Sequence, residues 1–193
     1  MKKSIGAKPM LFCAPVWLIG SYSPDGKPGL MTVSWGGTCC SKPPCVGISL
    51  RKATQSFENI TTRRAFTVNI PSTKYMTEAD YCGMATSRDV NKFEICSLTP
   101  QKGTLVDAPY VDECPLVLEC KVIHTLEIGL HTQFVGEILD IKVDAEILGR
   151  EDLPDIEKIR PLIYDPAHCR YFGVGSPLGT AFQAGNALTR KGA

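Results

Sequence analysis

The chain has 193 residues, and its 21 Lys and Arg side chains nearly balance 20 Asp and Glu, giving a formal net charge of +1. This length predicts one domain over residues 1–193, large enough to bury a core without disulfide bonds. The near-neutral charge, with no long basic or acidic run, argues against a nucleic-acid-binding protein. The apolar runs are also too short to cross a membrane.

The first residues combine two lysines with an apolar stretch and so imitate a secretory signal peptide. Pro9 and Pro15 interrupt that stretch, and no cleavage site of the AxA type follows it. We therefore predict that the protein is cytoplasmic.

The first half of the chain alternates short apolar runs with turn residues, a pattern typical of antiparallel strands. The turn sequence SPDGKPG joins the first two runs and predicts a β-hairpin with a longer loop. Thr54 or Ser56 can cap a helix that ends at Arg63 or Arg64, where basic residues suit the helix dipole. The predicted strands are 16–22, 30–34, 45–50 and 65–70.

The second half begins with a predicted helix at 74–85, in which Tyr75, Ala79 and Cys82 have helical spacing. Residues 86–115 show little regular pattern, and so long a loop in a compact domain is usually functional. The remaining predicted elements are strands at 116–125 and 133–143, a helix at 155–164, a strand at 169–174 and a small polar tail at 177–193.

The order of these elements predicts a mainly β fold. Strands outnumber helices and often follow one another directly, which favours an antiparallel barrel or sandwich with a few short helices over alternating βα units. Neither GxGxxG after a strand nor GxxxxGK[ST] is present, so the sequence argues against a Rossmann domain and a P-loop NTPase.

Nine cysteines are many for this length, yet no CxxC occurs and the spacing matches no zinc or iron–sulfur motif. We expect no metal site, and we interpret most of the thiols as small buried side chains in a reducing cytosol. Redox chemistry stays open for the adjacent pair Cys39 and Cys40, because thiol reactivity depends on exposure and pKa.

The stretch from residue 31 to residue 64 holds the candidate binding residues. A phosphate group needs several donors and a fixed positive charge, which Arg51, Lys52, the Thr54 hydroxyl and the following helix start can supply. The alternative is that Arg51 and Lys52 only solvate the end of a strand.

Trp35 stands between hydroxyl residues and a pair of glycines. The hydroxyls of Thr32, Ser34 and Thr38 could meet the polar edge of a flat ring, and Gly36 and Gly37 would allow the backbone to come close. Alternatively, Trp35 packs in the core beneath the hairpin.

Several segments resemble the flavin reductase-like proteins with an FMN-binding split barrel, and within that family the flavoredoxin group. The segments that carry the resemblance are TVSW, PPCVGISLRKATQSFENI, FTVNIP, SRDVNKFE and LIYDPAHCRYFGVG, spread over roughly residues 9–172. The resemblance implies an antiparallel Greek-key split β-barrel, a homodimer and one non-covalent FMN per subunit near the dimer interface.

Carried over by position, the resemblance also implies the roles of individual residues. Arg51 and Thr54 would hold the phosphate, Asn69 would end the strand behind the site, and Tyr164 would cover the ring or reach it from the partner subunit. Lys92 would lie close to the ring, where a cation stabilises reduced flavin; its alternative is an exposed loop lysine. The implied FMN-binding residues are Thr32, Ser34, Trp35, Thr38, Ser49, Leu50, Arg51, Thr54, Ser87, Lys92, Phe93 and Tyr164.

None of the three histidines, His124, His131 and His168, belongs to a nucleophile motif, and we interpret them as surface or strand-end residues. We expect no catalytic side chain, because a flavin would carry out the redox chemistry itself.

Three functions remain open from the sequence. The first is a flavoredoxin-like FMN protein that transfers electrons to or from a redox protein, in sulfur-compound reduction in an anaerobe. The second is an NAD(P)H-dependent flavin reductase, so it stays open whether the chain is itself an enzyme. The third is a cofactor-free barrel that binds a macromolecule, although the sequence lacks the basic and aromatic stripe of a nucleic-acid binder.

Overall fold

The computed structural model describes residues 1–11 and 13–189, and it is mainly β over that range. The strands are β1 (Ala14–Pro15), β2 (Trp17–Tyr22), β3 (Pro28–Val33), β4 (Gly36–Ser41), β5 (Pro44–Arg51), β6 (Ala65–Ile70), β7 (Pro100–Lys102), β8 (Pro109–Val111), β9 (Leu116–Ile128), β10 (His131–Val143), β11 (Leu162–Asp165) and β12 (Arg170–Gly173). The helices are α1 (Gln55–Arg63), α2 (Met76–Met84), α3 (Lys92–Ile95), α4 (Ile156–Ile159) and α5 (Asn186–Thr189). Three short 3₁₀ turns cover Thr73–Tyr75, Ala145–Ile147 and Arg150–Asp152.

Seven of these strands form one antiparallel sheet in the order β3-β2-β6-β9-β10-β5-β4. A three-stranded sheet, β1-β11-β12, and the β7-β8 pair complete the strand pairing in the described part of the chain. The order confirms the predicted antiparallel arrangement, and the predicted hairpin is the β2–β3 pair.

Alternation along the strands divides most of the described core into two large apolar clusters, and Ala65, Val106 and Ala108 form a small third one. On β2, Leu18 belongs to one cluster and its neighbour Ile19 to the other, since successive side chains of a strand point to opposite faces. The first cluster also contains Cys82 of α2 and Phe93 of α3, and the second contains Phe134 of β10. Helices α2 and α3 therefore pack on one face of the sheet, and the second apolar cluster lies on the other face.

Helix α1 begins and ends where the sequence predicts. Thr54 is the N-cap, with extended backbone, and its Oγ1 accepts a hydrogen bond from the N–H of Phe57 at 3.3 Å. Arg64 has a left-handed φ of 55°, and its N–H donates to the carbonyl of Ile60 at 2.9 Å, which ends the helix. These caps fix the end of β5 against the start of α1.

Two predicted segments, 155–164 and 86–115, are wrong in part, and one strand was not predicted. The helix expected at 155–164 covers only Ile156–Ile159, because Arg160 takes a left-handed φ of 52° and Pro161 follows it; Leu162–Asp165 is a strand. The sequence also did not predict β4, an edge strand of Gly, Thr, Cys and Ser whose side chains are mostly exposed. The residue range 86–115 contains α3, β7 and β8 rather than loop alone.

Buried polar side chains tie the strands together. Asn69 of β6 is completely buried, and its Nδ2 donates to the Leu18 carbonyl while its Oδ1 accepts from the Val111 N–H, both at 2.8 Å. Glu119 of β9 is also completely buried. It accepts three backbone N–H groups of the 104–106 loop and pairs with Lys142 at 2.8 Å. Both residues satisfy groups that would otherwise be buried without partners.

Candidate functional site

One cavity brings together most of the residues that the sequence singled out. It has a volume of about 640 Å³ and lies where the ends of β3 and β5 meet α1, α2 and the β11–β12 loop. That volume is within the range of cofactor sites in proteins. The lining residues are Pro9, Met31, Thr32, Val33, Ser34, Trp35, Ser49, Leu50, Arg51, Thr54, Asp80, Gly83, Met84, His131, Tyr164, Pro166, Cys169 and Tyr171.

One end of the cavity carries a free positive charge. Arg51 ends β5 and is exposed, and among the described residues its guanidinium makes no hydrogen bond or ion pair. Lys52, by contrast, is paired with the carboxylate of Glu127. The Thr54 hydroxyl donates to the Arg51 carbonyl at 2.9 Å and so fixes the turn between β5 and α1. This end can bind an anionic group through Arg51 and the helix start.

Trp35 lines the cavity instead of packing in the core. Its carbonyl accepts the Ser49 N–H at 2.8 Å, which fixes the turn after β3 onto β5. Trp17, the first residue of β2, is the tryptophan that packs against the second apolar cluster. A Cβ at Gly36 would lie 2.5 Å from the Trp17 ring, so Trp17 requires glycine there, whereas a Cβ at Gly37 would meet open space. Contact with Trp17 therefore explains Gly36, and the expectation that Gly37 lets the backbone approach a ligand stays a prediction.

The hydroxyl side chains along the cavity differ in whether they already form a hydrogen bond within the protein. Thr32 donates its hydroxyl to the Ala79 carbonyl and thereby holds α2 against β3. Ser34 and Ser49 are half-buried, and in the described part of the chain neither hydroxyl makes a hydrogen bond. Leu50 is buried in the second apolar cluster and forms the floor. Ser34 and Ser49 are thus the hydroxyls available to a ligand.

The opposite wall is aromatic and contains residues that the sequence analysis missed. The rings of Tyr164 and Tyr171 lie 5.7 Å apart at 46°. Tyr171 donates its hydroxyl to Asp80 at 2.8 Å, and Tyr164 donates to the Cys169 sulfur at 3.4 Å. Burial, followed by the bond to Asp80, raises the pKa of Tyr171, so this phenol stays protonated at neutral pH.

Four further residues line the cavity only because distant segments of the chain pack together there, and the sequence did not predict this role for them. His131 begins β10 directly opposite Arg51, so the strand-end prediction is right, but its place in the cavity wall was not foreseen. Asp80, Gly83 and Met84 share one face of α2 at spacing i, i+3, i+4. The helical spacing of Tyr75, Ala79 and Cys82 was the sequence signal that could have placed them on the opposite face of α2.

Four predicted residues lie outside this cavity. Thr38 lines a neighbouring hollow of about 810 Å³, which shares Trp35 with the cavity. Ser87 donates its hydroxyl to the Leu30 carbonyl at 3.1 Å, and Phe93 lies in the first apolar cluster. Lys92 is 4% exposed, so the alternative of an exposed loop lysine is wrong. Its Nζ donates to the Cys82 carbonyl of α2 at 2.7 Å, and Lys92 is not among the residues that line the cavity.

Over residues 1–11 and 13–189, no group of three or more His, Cys, Asp or Glu side chains could hold a metal ion. In the same range, no helix is both long enough and apolar enough to span a membrane. Among the described lining residues, Arg51 is the free cation, and hydroxyls and aromatic side chains complete the groups available for recognition.

Known structures confirm the fold and the resemblance. Flavoredoxin of Desulfovibrio vulgaris (Miyazaki F) is 47% identical with a TM-score of 0.92, and the match covers 96% of this chain and 100% of that one. A split barrel domain protein of Shewanella frigidimarina has a TM-score of 0.80 at 23% identity, covering 89% of this chain and 87% of that one. The predicted split-barrel fold is therefore confirmed.

Sequence comparison leads to the same family. A ferric-chelate reductase (NAD(P)H) of Archaeoglobus fulgidus is 30% identical over 115 residues, which are 58% of this chain and 67% of that protein. The family model for the flavin reductase-like domain matches residues 10–173, most of the chain. The protein therefore belongs to the flavin reductase-like family.

Proposed function

We propose that the chain binds one FMN non-covalently in the 640 Å³ cavity and transfers electrons between that flavin and a redox partner. The observation that carries this proposal is the free Arg51 guanidinium facing a cavity with aromatic walls, in a chain that is 47% identical to a flavoredoxin.

The residues present fit a phosphorylated flat ring. Arg51 and the capped start of α1 suit a phosphate, because a guanidinium fork and helix N–H groups both bind phosphate oxygens. The free Ser34 and Ser49 hydroxyls suit the polar edge of a ring or a polyol chain. The indole of Trp35 supplies an aromatic surface of matching shape.

The flavin, when bound, supplies the redox chemistry, and the protein positions it and limits its contact with water. Arg51 and the start of α1, which Thr54 caps, hold the phosphate end, while Trp35 and Tyr164 cover ring surface. Tyr171, held by Asp80, keeps Tyr164 in place across the 5.7 Å ring contact. This proposal assigns no acid, base or nucleophile to any side chain.

A second candidate is an NAD(P)H-dependent flavin reductase. Its support is the ferric-chelate reductase (NAD(P)H) relative, together with the hollow on the other side of Trp35, which has about 810 Å³ of space. Because Ser34, Ser49 and His131 line both spaces, a second planar group could approach a bound flavin from there.

We also propose a homodimer in a reducing cytoplasm. The edge strand β4 leaves backbone groups open to pairing, and the nearby β9–β10 turn exposes Ile128 and Leu130, both more than half accessible. All nine cysteines are free thiols in the structure, as a reducing compartment would keep them. Size-exclusion chromatography with light scattering tests the dimer, and a monomeric mass would contradict it.

Anaerobic reduction of the FMN-loaded protein tests the two roles. Flavin absorbance that persists with NADH and NADPH, yet is lost on addition of a reduced redox protein, supports the electron-transfer role. Catalytic loss of the absorbance with either nicotinamide supports the reductase instead.

A further inference from the structure

Two thiols lie in contact behind the helix that lines the cavity. Cys82 of α2 is completely buried, and its Sγ is 3.9 Å from the Sγ of Cys96, which directly follows α3. Cys39 and Cys40, the pair for which the sequence left redox chemistry open, lie elsewhere, exposed on edge strand β4. We propose that Cys82 and Cys96 form a reversible disulfide that ties α2 to α3.

The geometry requires only a small movement. A disulfide has an S–S length of about 2.05 Å, so the two sulfur atoms must approach by about 2 Å. Cys82 is fixed by its place in the first apolar cluster, so Cys96 is the residue that moves. Cys96 follows a helix of only four residues and precedes Ser97, where the chain turns with a φ of 52°. Rotation of the Cys96 side chain and a shift of this short segment close the gap.

Lys92 places a positive charge near the two thiols, and such a charge stabilises the thiolate that disulfide exchange requires. Its buried Nζ donates to the Cys82 carbonyl at 2.7 Å. Burial raises the pKa of the Cys82 thiol to about 12, raises the pKa of Cys96 and lowers the pKa of Lys92. The charged form of Lys92 lowers the pKa of both thiols. The ammonium group is thus placed to stabilise a thiolate during exchange. This gives Lys92 a positioning role that does not depend on contact with a flavin ring.

The more accessible thiol reacts first. The Cys96 thiolate attacks one sulfur of a small dialkyl disulfide such as oxidised glutathione, and one glutathione thiolate leaves. The Cys82 thiolate then attacks the Cys96 sulfur of the mixed disulfide, and the second glutathione thiolate leaves. The two cysteines lose two electrons and two protons in total, and the glutathione disulfide takes them up as two thiols.

The bond would act on the cavity wall through α2. This helix carries Asp80, Gly83 and Met84 into the cavity on one face and Cys82 on the other. The bond would also close a loop of 15 residues, counting both cysteines, which restricts the unfolded chain. From the usual effect of such a loop, we expect the melting temperature of the oxidised protein to rise by about 6–12 °C.

The test maps cysteine pairing in the full chain after equilibration with glutathione buffers of increasing oxidation. The protein is quenched with acid, alkylated with N-ethylmaleimide in denaturant and digested with trypsin without reduction. Trypsin cuts after Lys74, Arg88, Lys92 and Lys102, so Cys82 and Cys96 fall in two peptides, 75–88 and 93–102, each with a single cysteine. We expect these two peptides to become covalently joined and to separate again on reduction.

Three results would overturn the proposal. They are a stable glutathione adduct on Cys96 with Cys82 still alkylated, a crosslink of Cys82 to another cysteine, and two alkylated thiols throughout.

The variant Cys96→Ala should lose the oxidation-dependent rise in melting temperature. The matched control Cys120→Ala removes a buried thiol from the other apolar cluster and should keep that rise.

Discussion

Removing the Arg51 guanidinium tests the proposed orientation of the cofactor. Among the described residues this group has no protein partner, so Arg51→Ala takes away a ligand contact without breaking an internal one. Hydrogen bonds to charged groups contribute about 1.5–3 kcal/mol, which corresponds to a loss of roughly 10- to 150-fold in FMN affinity. Fluorescence titration of FMN into the apoprotein measures the dissociation constant.

Riboflavin serves as the matched control ligand, and Lys52→Ala serves as the matched control variant. Riboflavin lacks the phosphate, so Arg51→Ala should leave its dissociation constant unchanged within about twofold if Arg51 binds phosphate. Lys52 is adjacent but already paired with Glu127, so Lys52→Ala should leave FMN affinity nearly unchanged. An equal loss for FMN and riboflavin in Arg51→Ala, or an equal loss in both variants with FMN, would refute the assignment.

Three further predictions concern the ring contact and the buried polar groups. Trp35→Ala should weaken the binding of both FMN and riboflavin by about 1–3 kcal/mol in the same titration, since the proposed site places the indole against the ring; a loss for FMN alone would contradict this. Burial alone would raise the pKa of Glu119, but Lys142 and the loop N–H groups lower it to about 2. Its contribution, on the order of 3 kcal/mol, should be present above pH 5 and lost as pH falls toward 2, and Glu119→Gln should lack this dependence in urea melts. Asn69→Ala should lower the free energy of unfolding by about 2 kcal/mol or more, because the Val111 N–H loses its buried partner; an unchanged urea midpoint would contradict this.

The sequence was most informative where local chemistry decides the structure. Thr54 caps α1 because its side chain bonds to a backbone N–H three residues away, and such a signal is readable from spacing. Arg51 and Trp35 were singled out from neighbouring residue types together with the family resemblance, and both line the cavity. The long strands β9 and β10 were predicted at residues 116–125 and 133–143, and the structure extends them to Leu116–Ile128 and His131–Val143.

The sequence was least informative where distant segments meet. Asp80 and Tyr171 are separated by 91 residues and form part of the cavity wall only because α2 packs beside the β11–β12 pair. The burial of Lys92 likewise depends on the packing of α3 behind α2. Strand β4 was missed because its small, exposed side chains carry no hydrophobic alternation, and its position follows from pairing with β5.

The most direct measurement of the central claim is the visible absorption spectrum of the protein after incubation with FMN and removal of free ligand by gel filtration. Retained flavin bands, corresponding to one FMN per chain and a dissociation constant that Arg51→Ala raises, are the result that we expect. A protein fraction without flavin absorbance would contradict the FMN site and leave a cofactor-free binding barrel as the better description.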